Sequence, residues 1–124
     1  MLVEDVLDVR EILAEVLVRA GFTVAEAGNG HDAVVKARSL QPDAIVLDVS
    51  LPLLDGVSAA RIIRSAEQTR DVPLLALTGL HEGAFDEGVF DVVLLKPCTP
   101  DALLREVRAV IARRAQGRKG EGER

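Results

Sequence analysis

Five short apolar runs, residues 1–3, 22–27, 44–47, 72–77 and 92–95, punctuate this chain, and the segments between them change to a helical period. Runs this short and rich in β-branched residues read as strands rather than buried helices. Residues 9–20 set Val9, Ile12, Leu13, Val16, Leu17 and Ala20 at the spacing of one buried stripe, and Gly21 follows as a stop. Residues 31–40 place Ala33, Val34, Ala37 and Leu40 on one side and end before Pro42, while residues 57–66 turn Val57, Ala60 and Ile63 inward. A last helix opens with Thr99 as N-cap and Pro100 at the first helical position. It carries Leu103, Leu104, Val107, Val110 and Ile111 and is expected to fade near Ala115. Strands that are apolar on both faces need a cover on each side, so the pattern predicts a doubly wound α/β domain with a parallel sheet and right-handed crossovers. The 124 residues, 48% of them hydrophobic, suffice for one such core. Residues 116–124 hold three glycines and no apolar anchor, and are expected to form a disordered tail behind a folded domain of residues 1–115.

Charge and composition remove several classes of function. A formal charge of -5, with no Lys/Arg cluster before residue 113, argues against a nucleic-acid surface on this domain. Arg113, Arg114, Arg118 and Lys119 read as a solvated helix end, favoured there by the macrodipole. The apolar runs are far too short to span a bilayer, and residues 1–5 lack the basic start of a secretory signal, so the expected location is cytoplasmic. The single cysteine, Cys98, has no internal partner and no Cys or His at zinc-ligand spacing; it reads as a small, partly buried hydrophobe. His31 and His81 read as surface residues.

In an open α/β sheet, ligands and chemistry collect at the carboxyl ends of the strands. Those ends carry Glu4 and Asp5 after the first run, Asp48 after the third, Thr78 after the fourth and Lys96 after the fifth. Three carboxylates in close company repel one another unless a cation neutralises them, and a hard oxygen-seeking ion such as Mg²⁺ suits that donor set. Asp48 could then act as a nucleophile toward a phosphoryl group. Lys96 and the Thr78 hydroxyl would stabilise charge on the transferring oxygens.

The blocks "LVEDVLDVREIL", "DAIVLDVSLPLLDG", "VPLLALTG" and "LLKP" together resemble the signature blocks of response-regulator receiver domains from two-component signalling, over about residues 1–115. The resemblance implies a flavodoxin-like five-stranded sheet in the order 2-1-3-4-5, with Asp48 as phosphoacceptor. It implies that Asp5, Asp48 and the backbone carbonyl of Ser50 bind Mg²⁺ directly, that Glu4 assists through water, and that Thr78 and Lys96 contact the phosphoryl group. A cis Lys96-Pro97 bond is implied too. The implied partners are a histidine kinase or phosphotransfer protein and a downstream protein target, with no membrane and no nucleic acid contacted by this domain. Catalysis of anything beyond its own phosphoryl transfer and dephosphorylation is not implied.

Three features depart from that family's pattern. The position three residues before the Lys usually holds Tyr or Phe, and here it is Val93, so the usual aromatic readout is absent or passes to another residue such as Phe90. The stretch from Thr78 to Lys96 is about one helical turn short, and "GLHEGAFDEG" holds three glycines. Each costs a helix about 1 kcal/mol relative to Ala, so a short or irregular fourth helix is expected. Third, only residues 1–3 precede the acidic pair, so either the true start lies upstream or the sheet tolerates a clipped central strand. A phosphorylation-independent interaction module with the same fold is the alternative reading. An aspartyl-phosphate phosphatase of the haloacid-dehalogenase type would want an Asp where Ser50 stands. A flavodoxin-like cofactor carrier would want a phosphate loop where Glu4-Asp5 would repel one.

Overall fold

The computed structural model describes residues 1–79 and 87–122. Its strands are β1 (Leu2–Val3), β2 (Glu26–Ala27), β3 (Ile45–Asp48), β4 (Leu74–Thr78) and β5 (Val92–Leu95), and its α-helices are α1 (Leu7–Arg19), α2 (Gly30–Leu40), α3 (Gly56–Ser65) and α4 (Pro100–Gly122). The strands form one parallel sheet in the order β2-β1-β3-β4-β5, the expected doubly wound topology.

Strand residues divide by parity, as the two-residue period demands. Val3, Ile45, Leu47, Leu74 and Ala76 face Ala33 and Ala37 of α2 and Val57, Ala60 and Ile63 of α3. On the other face, Leu2, Val46, Leu75 and Leu77 meet Ala14 and Leu17 of α1 and Leu103, Val107 and Val110 of α4. The last helix starts at its expected cap, Thr99 Oγ1 accepting the Ala102 amide (3.1 Å), and α2 is capped by Asn29, whose Oδ1 accepts the Asp32 amide (2.8 Å). Gly21 closes α1 at φ 101°, a left-handed conformation that suits a residue without Cβ.

Some expectations need correction. On α1, the buried face centres on Ala14 and Leu17, leaving Val9 38% and Ile12 63% exposed; a small residue at position 14 lets the helix seat there, and the wide apolar stripe overhangs it. Leu40 of α2 is likewise exposed. Strand β2 covers only the last two of the six residues expected, the two that pair with Leu2 and Val3 of β1. Before β1, the Met1 amino group donates to the Ala44 carbonyl (2.7 Å), and burial pulls its pKa down to about 6. Helix α4 does not fade near Ala115 but keeps helical backbone to Gly122, carried by its own i→i−4 bonds after the last packed apolar residue, Ile111. The expected fourth-helix segment lies mostly outside the described residues, as does His81; its described end is a 3₁₀ turn, Glu87–Val89.

Arg64, near the end of α3, ties this side of the molecule together. Its guanidinium donates to the carbonyls of Val89 (3.2 Å), Arg70 (2.8 Å) and Val72 (2.6 Å) and to Asp91 Oδ2 (2.6 Å), and that carboxylate also accepts the Leu74 amide (2.8 Å). The starts of β4 and β5 are thereby tied to one side chain. Arg64→Met should lower unfolding stability by about 2 kcal/mol, since charge-assisted bonds to partly buried carbonyls are lost together. Urea denaturation measures it, and a change below about 0.5 kcal/mol would show that the cluster is incidental.

Candidate functional site

Because all five strands run the same way, their carboxyl ends share one edge. The register Val3↔Leu47 carries on to bring Glu4 beside Asp48, and Thr78↔Leu95 places Lys96 one residue beyond Thr78's neighbour. The ladder continues into the loops through Lys96 N–H to Thr78 O (2.8 Å) and Val49 N–H to Leu77 O (3.0 Å). Carboxylate oxygens of Glu4, Asp5 and Asp48 lie within 4.8 Å of one another. Glu4 and Asp48 are buried and Asp5 is exposed at the rim. Lys96 Nζ donates to Asp48 Oδ2 at 2.5 Å, and the Ser50 amide donates to Asp48 Oδ1 at 2.9 Å. Thr78, also buried, turns its hydroxyl toward the Gly79 carbonyl (3.4 Å). All six residues singled out from the sequence meet here, and the Lys96-Pro97 bond is cis.

The β3–α3 loop shows why an acid at the end of a greasy strand is followed by Leu-Pro and Asp-Gly. Leu51 turns back into the core, while Leu53, 86% exposed, takes a left-handed φ of 68°. Asp55 caps α3, accepting the Ser58 amide (2.9 Å) and hydroxyl (2.8 Å), and these bonds, the amide's first, hold its carboxyl below the usual range. At Gly56 any Cβ would collide with the carbonyl of Asp48, so only glycine lets the helix start press against the strand end. The loop thus fixes the backbone on which Asp48 stands.

Electrostatically the pocket is unbalanced. Burial, then the neighbouring Asp48 carboxylate, pushes the Glu4 carboxyl up to about 8. Glu4 Oε2 is buried with no hydrogen-bond partner among the described residues. A buried orphan oxygen beside two further carboxylates, with one ammonium as counter-charge, is a donor set that fits a hard divalent cation. Cys98, two residues beyond Lys96, has a thiol whose pKa burial raises, which suits an inert side chain.

One residue at this edge is absent from the sequence-based site. Arg10 of α1 reaches across the end of β1 and donates to the Glu4 carbonyl oxygen (2.8 Å) and to Glu26 Oε1 of β2 (3.2 Å). Its only sequence signal is a long cation within the apolar stripe of an otherwise amphipathic helix.

A parallel sheet in the order 2-1-3-4-5 with acids, a hydroxyl and a lysine gathered at its carboxyl edge has the architecture of a receiver domain, and comparison with known proteins agrees on that family. The model of the response regulator receiver domain matches residues 1–108, and the chain belongs to that family of two-component systems. The transcriptional regulator RpaA of Synechocystis is 34% identical over 118 residues, covering 91% of this chain and 48% of that protein. The transcriptional regulatory protein PrrA of Mycobacterium tuberculosis is 36% identical over 124 residues, covering 92% and 50%. The chain therefore spans about half the length of these curated relatives. Among solved structures, a response regulator of Chloroflexus aurantiacus aligns with TM-score 0.82 at 30% identity, over 90% of this chain and 94% of that one. The receiver domain of the Pseudomonas aeruginosa sensor histidine kinase PA1611, solved with magnesium in its active-site cleft, aligns with TM-score 0.80 at 32% identity over the same shares.

The Glu4 shift has a sign that can be tested. An unfolded Glu ionises near 4.5 and this one near 8, so between those values the folded chain holds a proton that the unfolded chain has released. Its contribution is complete below about 4.5 and is lost as pH rises toward 8. In EDTA, wild type should therefore lose on the order of 2 kcal/mol relative to Glu4→Gln between pH 5 and 8. Thermal melts across that range are the measurement, and parallel pH curves for the two proteins would contradict it.

Proposed function

We propose that this domain takes a phosphoryl group onto Asp48 from a phosphohistidine of a partner histidine kinase or phosphotransfer protein, in a reaction that depends on Mg²⁺, and signals by contact with another protein. The observation that carries this reading is the convergence of Glu4, Asp5 and Asp48 within 4.8 Å, with Lys96 ion-paired to Asp48. An Asp48 oxygen attacks phosphorus as the P–N bond breaks, and the imidazole, protonated on its other nitrogen, keeps the bonding pair and leaves neutral. Lys96, already within reach of Asp48 Oδ2, transfers its hydrogen bond to the incoming phosphoryl oxygens, and the Thr78 hydroxyl donates to them as well. The Ser50 amide holds Asp48 Oδ1 and so fixes which way the carboxylate faces. Asp5, Asp48 and the Ser50 carbonyl would hold Mg²⁺ directly and Glu4 through water; when bound, the ion neutralises charge on the transferring oxygens. The chain catalyses no other reaction in this reading. Its location is cytoplasmic, consistent with described helices none of which is long and apolar enough to cross a membrane. RpaA, a DNA-binding regulator, is about twice as long as the part matched here, so any nucleic-acid contact of this protein would belong to a segment other than this one.

Incubation with acetyl phosphate should add one phosphoryl mass to wild type in Mg²⁺ and none in EDTA, with Asp48→Asn unmodified in both. Intact mass spectrometry reads this, and a modified Asp48→Asn protein would refute the assignment. The binding-only alternative is what remains if wild type stays unmodified.

Readout is the second expectation. Val93 is half-buried against the α2–α3 side of the core, and Phe90, the substitute considered for it, is 8% exposed and packed in that core. Neither has an aromatic ring poised at the surface to exchange positions. Beryllofluoride in Mg²⁺ should therefore move NMR resonances chiefly at the carboxyl edge, with smaller changes along Val92–Leu95. Large shifts confined to that strand would contradict it.

A further inference from the structure

Arg10 sits where it can act on the carboxylate cluster without touching it. Its Nη1 donates to the carbonyl of Glu4, and its Nε is anchored on the Glu26 carboxylate across the neighbouring strand. The Glu4 amide in turn donates to the Ala27 carbonyl (3.1 Å), so the backbone of Glu4 is held at both its N–H and its C=O. That carbonyl belongs to the peptide linking Glu4 to Asp5. Fixing its plane fixes the position of the Asp5 Cα, from which the exposed carboxylate reaches the cluster. The Asp5 side chain itself is exposed and has no hydrogen bond or ion pair among the described residues, and α1 begins only at Leu7. The path of the guanidinium is also kept clear. A Cβ at Gly28 would stand 3.0 Å from Arg10 Nη1, close enough to displace it. Lys36 supports the same corner, donating from Nζ to the Glu26 carbonyl (2.5 Å).

We infer that Arg10 is a positioning residue for the divalent-cation site: by clamping the Glu4–Asp5 peptide against Glu26, it holds Asp5 where its carboxylate can share an ion with Asp48. This rests on the Mg²⁺-dependent reading above. Partners that orient metal ligands change affinity by about 10- to 100-fold. The electrostatic effect of the same side chain runs the other way, because removing a cation near an acidic pocket favours binding of another cation. The sign of the change therefore separates clamping from mere proximity.

The test is a Mg²⁺ titration of the full chain followed by NMR shifts, with thermal melts in EDTA as a measure of folding. Arg10→Met should weaken Mg²⁺ binding about tenfold. Acetyl-phosphate labelling should slow at low Mg²⁺ and recover at saturating Mg²⁺. Arg10→Lys, which keeps the charge but spans only one of the two partners, should fall between Met and wild type. Gly28→Ala changes no charge, crowds only the flexible end of Arg10, and should weaken binding about two- to threefold, which keeps the test open if Arg10→Met fails to fold. Equal or tighter Mg²⁺ binding by Arg10→Met, or by Gly28→Ala when Arg10→Met is unfolded, overturns the inference. If wild type itself binds no Mg²⁺ at millimolar concentration, the underlying reading of the site fails instead, and that result is visible before any variant is made.

Discussion

The arrangement depends on one ion pair between strands that are distant in sequence. Lys96, 48 residues from Asp48, supplies the counter-charge that allows a carboxylate to remain almost fully buried at the end of β3. Two carboxyls and an ammonium do not balance, however, and Glu4 shows the residue of that imbalance in its raised pKa and its orphan oxygen. A buried charge pair gives little net stability once desolvation is counted. Its value here is positional, since it holds a nucleophilic oxygen at a defined place beside a site suited to a divalent cation.

Around that centre the backbone is held from several directions. The Ser50 amide fixes one oxygen of Asp48, Gly56 lets α3 press against its carbonyl, and Asp55 secures the start of that helix. On the β1 side, Arg10 and Ala27 hold the Glu4 peptide. The backbone is therefore held by several contacts where the acids converge, and the exposed rim of this edge includes Leu53, a large apolar side chain in a left-handed conformation. A sheet carrying chemistry at one edge and tight packing below it can change its chemistry by loop substitution without disturbing the core.

Much of this was legible residue by residue. Strand and helix alternation, the cap at Thr99 and the stop at Gly21 are local signals, and the structure meets them. The polar residues at the strand ends were legible too, because a parallel sheet carries every carboxyl end to one edge once the topology is known. Val9 and Ile12 were misplaced inward because a helical period marks an apolar stripe without saying which part of it a sheet will cover. The length of β2 escaped as well, since a strand is defined by its partner as much as by its own residues.

By itself, then, the sequence determined the order of elements, the two apolar faces of the sheet and the identity of the acids, hydroxyl and lysine at its edge, since all of these follow from short-range periodicity and position. Only the tertiary structure decided that Glu4 is buried with its carboxyl pKa raised, that the Met1 amino group meets the Ala44 carbonyl, and that Arg10 grips the peptide between the two acids. Each of these depends on desolvation or on a contact between separate elements, and neither exists until the chain has packed.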